Sequence, residues 1–177
     1  MRDFLKRIKL IDDLQTELEV EKTDFVHKLK QNVDEGSTGI FSDAFDIFSR
    51  SKNDYKGNVD LNSFKVKRRK RLFDTNINLA VASGTYNQKG NKLIIDTEIN
   101  GFSPIFIPFF IFCLLFYPVF IIIFLFGENN DTATILFAIP FILLHATFMI
   151  GIPYFLMRRG VKRLKRELER EFFYLTK

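Results

Sequence analysis

Histidine, cysteine and paired carboxylates are where catalysis or metal binding would begin, and this chain offers few of them. It has two histidines and one cysteine in 177 residues. His27 lies in a polar stretch and His145 in the middle of an apolar one, so the two cannot serve one centre. Cys113 is also in an apolar stretch, which excludes an intrachain disulfide and a multi-cysteine metal site. Asp96 and Glu98 alternate on what reads as one strand face. That spacing suits a carboxylate pair in acid–base work, although basic neighbours on an adjoining strand are the simpler expectation. No HExxH, CxxC, phosphate-cradling glycine loop or nucleophile-with-base pattern is present. Asp43, Asp46 and Asp54 lack calcium-loop spacing. The expectation is therefore no catalytic residue, no metal and no cofactor.

Basic residues are the conspicuous polar feature. Lys65, Lys67, Arg68, Arg69, Lys70 and Arg71 form one run. Alternation points Phe64 and Val66 inward and Lys65, Lys67 and Arg69 outward, while Arg68 and Lys70 break the inward pattern as the strand leaves the core. A second cluster follows Met157, with Arg158, Arg159, Lys162 and Arg163 first and Lys165 and Arg166 next. The first cluster is read as a solvated or salt-bridged face, and both as candidate contacts to anionic lipid headgroups, where each base contributes about 1 kcal/mol, or to a protein partner. Nucleic acid is not expected, because no aromatic stacking platform or binding module accompanies the charge.

What must position these groups is set by a gap in the basic residues. The chain holds 26 lysines and arginines, yet none lies between Leu93 and Met157. Inside that gap two apolar runs, Pro104 to Phe126 and Thr132 to Met157, flank the acidic turn Gly127 to Asp131. Each exceeds the roughly 20 residues that an α-helix needs to cross a bilayer core. The expected architecture is a two-helix transmembrane hairpin, residues 104–157. The turn has no base and the second helix is followed at once by several, so the positive-inside rule places both termini in the cytoplasm. No cleavable signal peptide is read at the N-terminus. Richness in Asn, Lys, Ile and Phe points to an AT-rich genome, and the simplest home is a bacterial inner (plasma) membrane.

All five prolines fall in or beside the hairpin, where they kink helices and free carbonyls that neighbours must satisfy. No Asp, Glu, Lys or Arg lies within either span, and His145 sits in the middle of the second. A neutral histidine there is expected to bond a carbonyl or hydroxyl on the neighbouring helix, or to make an oligomer contact.

The remaining residues suit one small α+β domain. Asp3 to Glu21 has Phe4, Ile8, Ile11, Leu14 and Leu18 at three- and four-residue intervals, which predicts an amphipathic helix over residues 1–22. A β-rich domain is expected over residues 23–103, with an antiparallel sheet of about four strands. Within it, Thr23 to Val33 alternates with period two and predicts a strand. Ser42 to Phe48 suits a short capped helix. Alternation through Val59, Leu61, Phe64 and Val66 predicts another strand. Asn78 to Gln88 and Asn91 to Asn100 predict a hairpin turning at Lys89 and Gly90. That hairpin would place Ala80, Ala82 and Gly84 on one face with Ile95, Thr97 and Ile99, a face ready to receive a helix or second sheet.

After Met157, Val161, Leu164, Leu168, Phe172 and Leu175 keep helical spacing, so residues 158–177 are expected to extend the second spanning helix as a basic tail, with a bend at Gly160. The tail carries eight bases and three acids, whereas Met1 to Lys22 carries five and six. The two segments are expected to dock, within one chain or across a dimer. Together these readings favour a non-enzymatic membrane protein, a scaffold or accessory subunit that binds a protein partner or headgroups and assembles with itself or a larger complex. A homo-oligomeric channel or transporter component and a membrane-tethered enzyme are the alternatives.

Overall fold

The computed structural model describes residues 1–39, 51–70, 79–127 and 132–177. They form two compact units. One comprises Met1–Phe102 with Met157–Lys177, and the other is Ser103–Leu156. The expected helix at Ser42 to Phe48, the start of the hairpin at Asn78 and the turn residues Glu128 to Asp131 lie outside the described residues.

The first unit is α+β, built on a six-stranded sheet rather than about four strands. In chain order it contains α1 (Arg2–Arg7), β1 (Ile11–Leu18), α2 (Lys22–Asn32), β2 (Val33–Glu35), β3 (Tyr55–Val59), β4 (Ser63–Arg68), β5 (Val81–Lys89) and β6 (Lys92–Asn100). The spatial order is β1-β6-β5-β4-β3-β2. Every pairing is antiparallel except β2 with β3, so the sheet is mixed.

The extra strands are β2 and a division of the expected strand through Val59 to Val66, which breaks at the exposed Leu61 into β3 and β4; two exchanges between helix and strand leave the count unchanged. The predicted N-terminal helix stops at Arg7. Lys9 takes a left-handed conformation (φ 59°), and the chain then enters β1 beside β6. Burial on β1 shows why the helical spacing misleads: Leu14, Thr16 and Leu18 alternate inward with Asp13, Gln15 and Glu17 outward. The polar Thr16 hides that period in the sequence, and β6 would otherwise be left with an unpaired edge. Conversely, the predicted strand Thr23 to Val33 is helix α2. It buries Phe25, Val26 and Leu29 at helical spacing and leaves His27 exposed.

The β5–β6 hairpin forms, with its turn one residue later than predicted. Lys89 pairs with Lys92, and Gly90 and Asn91 make the turn. Gly90 alone has positive φ (58°), the pattern of a type II′ turn with glycine in the first central position. The one-residue displacement of the turn moves the pairing by two, so faces are preserved. Ala82 lies opposite Ile99 and Gly84 opposite Thr97. A Cβ on Gly84 would stand 2.4 Å from the Phe64 ring, so only glycine lets that ring lie across β5.

The face of small residues receives two helices, as its shape demands. The second long helix in the chain, α4 (Thr132–Tyr174), runs unbroken through Gly160, and from Met157 onward it belongs to the sheet unit. Its Val161, Leu164, Leu168 and Phe172, with Leu175 just past its end, join Phe25, Val26 and Leu29 of α2 against the sheet in one core. Phe172 meets Phe25 and Phe64 edge to face at centroid distances of 5.6 and 5.9 Å, a favoured aromatic geometry. The tail also docks against the N-terminal segment within the chain. Lys165 Nζ lies 3.0 Å from Asp12 Oδ1 and donates to the Asp13 carbonyl at 2.8 Å.

The second unit is the apolar pair α3 (Phe106–Phe126) and the first part of α4. Both are long and apolar enough to cross a membrane. Cys113, Tyr117 and Ile142 form a small core between them, with Phe109, Ile121, Phe124 and Ala146 packed against it. Pro118 lies inside α3, and Pro140 and Pro153 lie inside α4.

Candidate functional site

Helices α2 and the α4 tail cover one face of the sheet, and among the described residues the opposite face is open around β1, β6, β5 and the Ser63–Lys65 part of β4. A concavity of about 680 Å³ lies over it. The alternation that sends Leu14, Thr97, Gly84 and Phe64 toward the core sends Gln15, Asp96, Glu98, Ser83, Thr85 and Lys65 to this face. Asp13 and Asp60 stand at its margin.

Asp96 and Glu98 therefore share one face, as expected, but the basic strand is not their partner. Gln15 donates to Asp96 at 2.8 Å, and Arg2 of α1 pairs with Glu98. Lys6 of α1 pairs with Asp13 at 2.6 Å, and that hydrogen bond holds the Lys6 ammonium above the usual lysine range. Helix α1 is thus tied across one end of the open face by exposed ion pairs, which solvent screens and which exchange easily.

The basic run is dispersed by the fold rather than displayed as a surface. Lys65 is exposed on the open face. Lys67, expected outward into solvent, is fully buried, and Lys56 directly across on β3 is buried as well. Arg69 pairs with Asp34. Arg68 points to the helix-covered face and pairs with Glu167 of α4, whose Oε1 also accepts from Arg163 Nε at 2.8 Å. Lys70 is half-buried, and Arg71 lies outside the described residues. The Arg68–Glu167–Arg163 node fastens the α4 tail to β4. Beside it, burial, followed by the charges of Glu167 and Glu171, drives the Tyr55 hydroxyl well above the ordinary tyrosine range.

In the α4 tail the helical period sorts the bases. Arg163 and Lys165 turn to the domain, Arg158 is half-buried, and Arg159, Lys162, Arg166 and Arg170 are exposed. The last four share one stripe, about 16 Å long at 1.5 Å per residue.

No protein-family model, curated protein or solved structure matches this chain. Function must therefore be read from the geometry alone.

In the hairpin unit, His145 faces a side chain of the other helix. Tyr117 Oη and His145 Nδ1 are 2.9 Å apart, from helix to helix. Tyr117 was missed by sequence reasoning. Its signal was a lone tyrosine in a phenylalanine-rich span, where a phenolic hydroxyl needs a partner. Thr147 bonds back to the Leu143 carbonyl at 2.8 Å, the usual solution for a hydroxyl on an apolar helix. Sequence reasoning also missed the open face, because one wall of it, Asp13 to Gln15, comes from β1, whose apolar spacing imitates a helix.

Proposed function

We propose that the chain is a non-enzymatic inner-membrane scaffold or accessory subunit, with both termini in the cytoplasm, whose sheet domain holds a protein partner on its open face. The observation that carries this reading is the one-sided cover of the sheet among the described residues: α2 and the α4 tail occupy one face, and a concavity of about 680 Å³ with charged side chains around apolar walls lies on the other. Its carboxylates are engaged by exposed arginine, lysine and glutamine side chains. A partner presenting basic and hydrogen-bonding groups exchanges with these at little cost. Membrane residence is supported by the two long apolar helices and by the absence of bases from Leu93 to Met157.

Anionic headgroups are a second contact in this reading. Arg159 and Lys162 are exposed within the first turns after Met157, where a basic side chain reaches the interface.

Co-purification of the full chain from native membranes in mild detergent tests the proposal. Wild type should retain a partner in fixed proportion. Ser83→Arg with Thr85→Arg, two exposed positions on the open face, should lose it. Lys30→Glu on exposed α2 should keep it. A partner-free wild type, or equal retention by the double variant, would sink the reading.

A further inference from the structure

The polar pair in the hairpin is only half satisfied. His145 Nδ1 bonds Tyr117 on the other helix. The ring also stacks on Phe141 at an interplanar angle of 11° and meets Tyr117 edge to face. These contacts fix the imidazole plane. Because the two ring nitrogens diverge, Nε2 points away from the Tyr117 hydroxyl, on a side chain that is exposed. Among the described residues Tyr117 is the only hydrogen-bond partner of His145. The surrounding exposed side chains, Phe141, Leu144, Phe148 and Ile152, are apolar. On the membrane reading proposed above, on which this inference rests, His145 lies near the middle of the Thr132 to Met157 span. A polar nitrogen left unbonded at that depth costs several kcal/mol.

We propose that two copies of this chain pair in the membrane through His145, with Nε2 of one ring bonded to Nε2 of the other across a twofold axis. A second copy is the partner that brings the same group to the same bilayer depth by symmetry. Two imidazoles can bond this way only if one carries its proton on Nε2 and the other on Nδ1. The hairpin permits both forms, because the Tyr117 hydroxyl can accept from Nδ1–H in one copy and donate to a bare Nδ1 in the other. A carbonyl in place of Tyr117 would fix the Nδ1–H tautomer in both copies and set two acceptors face to face. The apolar side chains flanking His145 supply the close packing on which helix association in lipid depends.

The test uses full-length protein in lipid bilayers, with donor- and acceptor-labelled copies mixed and energy transfer followed against protein-to-lipid ratio. Wild type should associate as a dimer, and His145→Phe should weaken the dimer about three- to thirtyfold, the range set by measured interhelical hydrogen bonds. Nitrogen-15 solid-state spectra should show both neutral histidine tautomers in equal amounts, in a His27→Asn background so that only His145 is seen. A monomeric wild type, a dimer indifferent to His145→Phe, or a single tautomer would overturn the pairing. So would a haem or metal that co-purifies and is lost with His145. Release of the chain from membranes by alkaline carbonate would overturn the membrane reading itself, an outcome separate from all of these.

Discussion

Phe172 is the residue on which the sheet domain turns, and Phe172→Ala measures how firmly α4 holds it. The ring is completely buried between Phe25 and Phe64. Truncating a buried phenylalanine costs about 3–5 kcal/mol in lost burial and residual cavity. The two edge-to-face contacts, worth about 0.5–1.5 kcal/mol each, place this site in the upper half of that range. Phe173, its neighbour, is 52 % exposed, and the same substitution there removes little burial. The assay is amide hydrogen exchange of the full chain in detergent micelles, read on β4, β5 and residues 161–172. At about 1.4 kcal/mol per decade, Phe172→Ala should speed exchange there by roughly three orders of magnitude, with Phe173→Ala near wild type. Phe172→Leu keeps most of the volume and should fall between. If both alanine variants exchange alike, or if protection is lost in the tail but not in the sheet, the tail does not complete the core and the reasoning fails.

Two further outcomes follow from single residues. Burial and then the nearby Asp54 charge raise the Glu171 pKa above its ordinary 4.5; a raised carboxyl binds its proton more tightly when folded, so the ionised form costs stability above the folded pKa and the cost fades as pH falls through it. Glu171→Gln should therefore raise the thermal midpoint slightly at pH 7, because the carboxyl is only half-buried, and the gain should shrink toward pH 4.5 in circular-dichroism melts; a gain that grows on acidification would contradict this. Gly84→Ala places a methyl against the Phe64 ring and 2.8 Å from the Asp96 carbonyl oxygen, which should cost about 1–3 kcal/mol by chemical denaturation, whereas Gly90→Ala meets no atom within 4 Å and should cost only its positive-φ strain, near 1 kcal/mol.

The parts of this fold legible in the sequence are those whose pattern is carried by several residues of one chemical kind. The apolar spans, the β5–β6 hairpin and the tail heptad from Val161 to Leu175 all satisfy that condition. The N-terminal third does not. There Phe4, Ile8, Ile11, Leu14 and Leu18 imitate a helix, yet Phe4 is exposed and the strand period depends on Thr16, a buried polar residue. In α2 the apparent alternation included His27 and Gln31, both exposed, and omitted Val26, which is buried. In each case the deciding influence is a distant one. β1 is stabilised by pairing with β6, and α2 by the Phe172 ring. The same distance explains the candidate sites. His145 could be recognised from its apolar surroundings, whereas its Tyr117 partner and the open face required the helices and strands to be set in place.

A core closed by its last elements also has a timetable. Phe25 and Phe64 leave the ribosome well before Phe172, and at about 5 to 20 residues per second the interval is roughly ten seconds. The sheet domain cannot bury them until the apolar pair and then the tail have been synthesised. Throughout that delay the nascent sheet presents an apolar face that α2 covers only in part, the kind of surface that chaperones hold. In this chain, synthesis of the hairpin and maturation of the sheet domain are consecutive steps, with α4 as the closing piece of both.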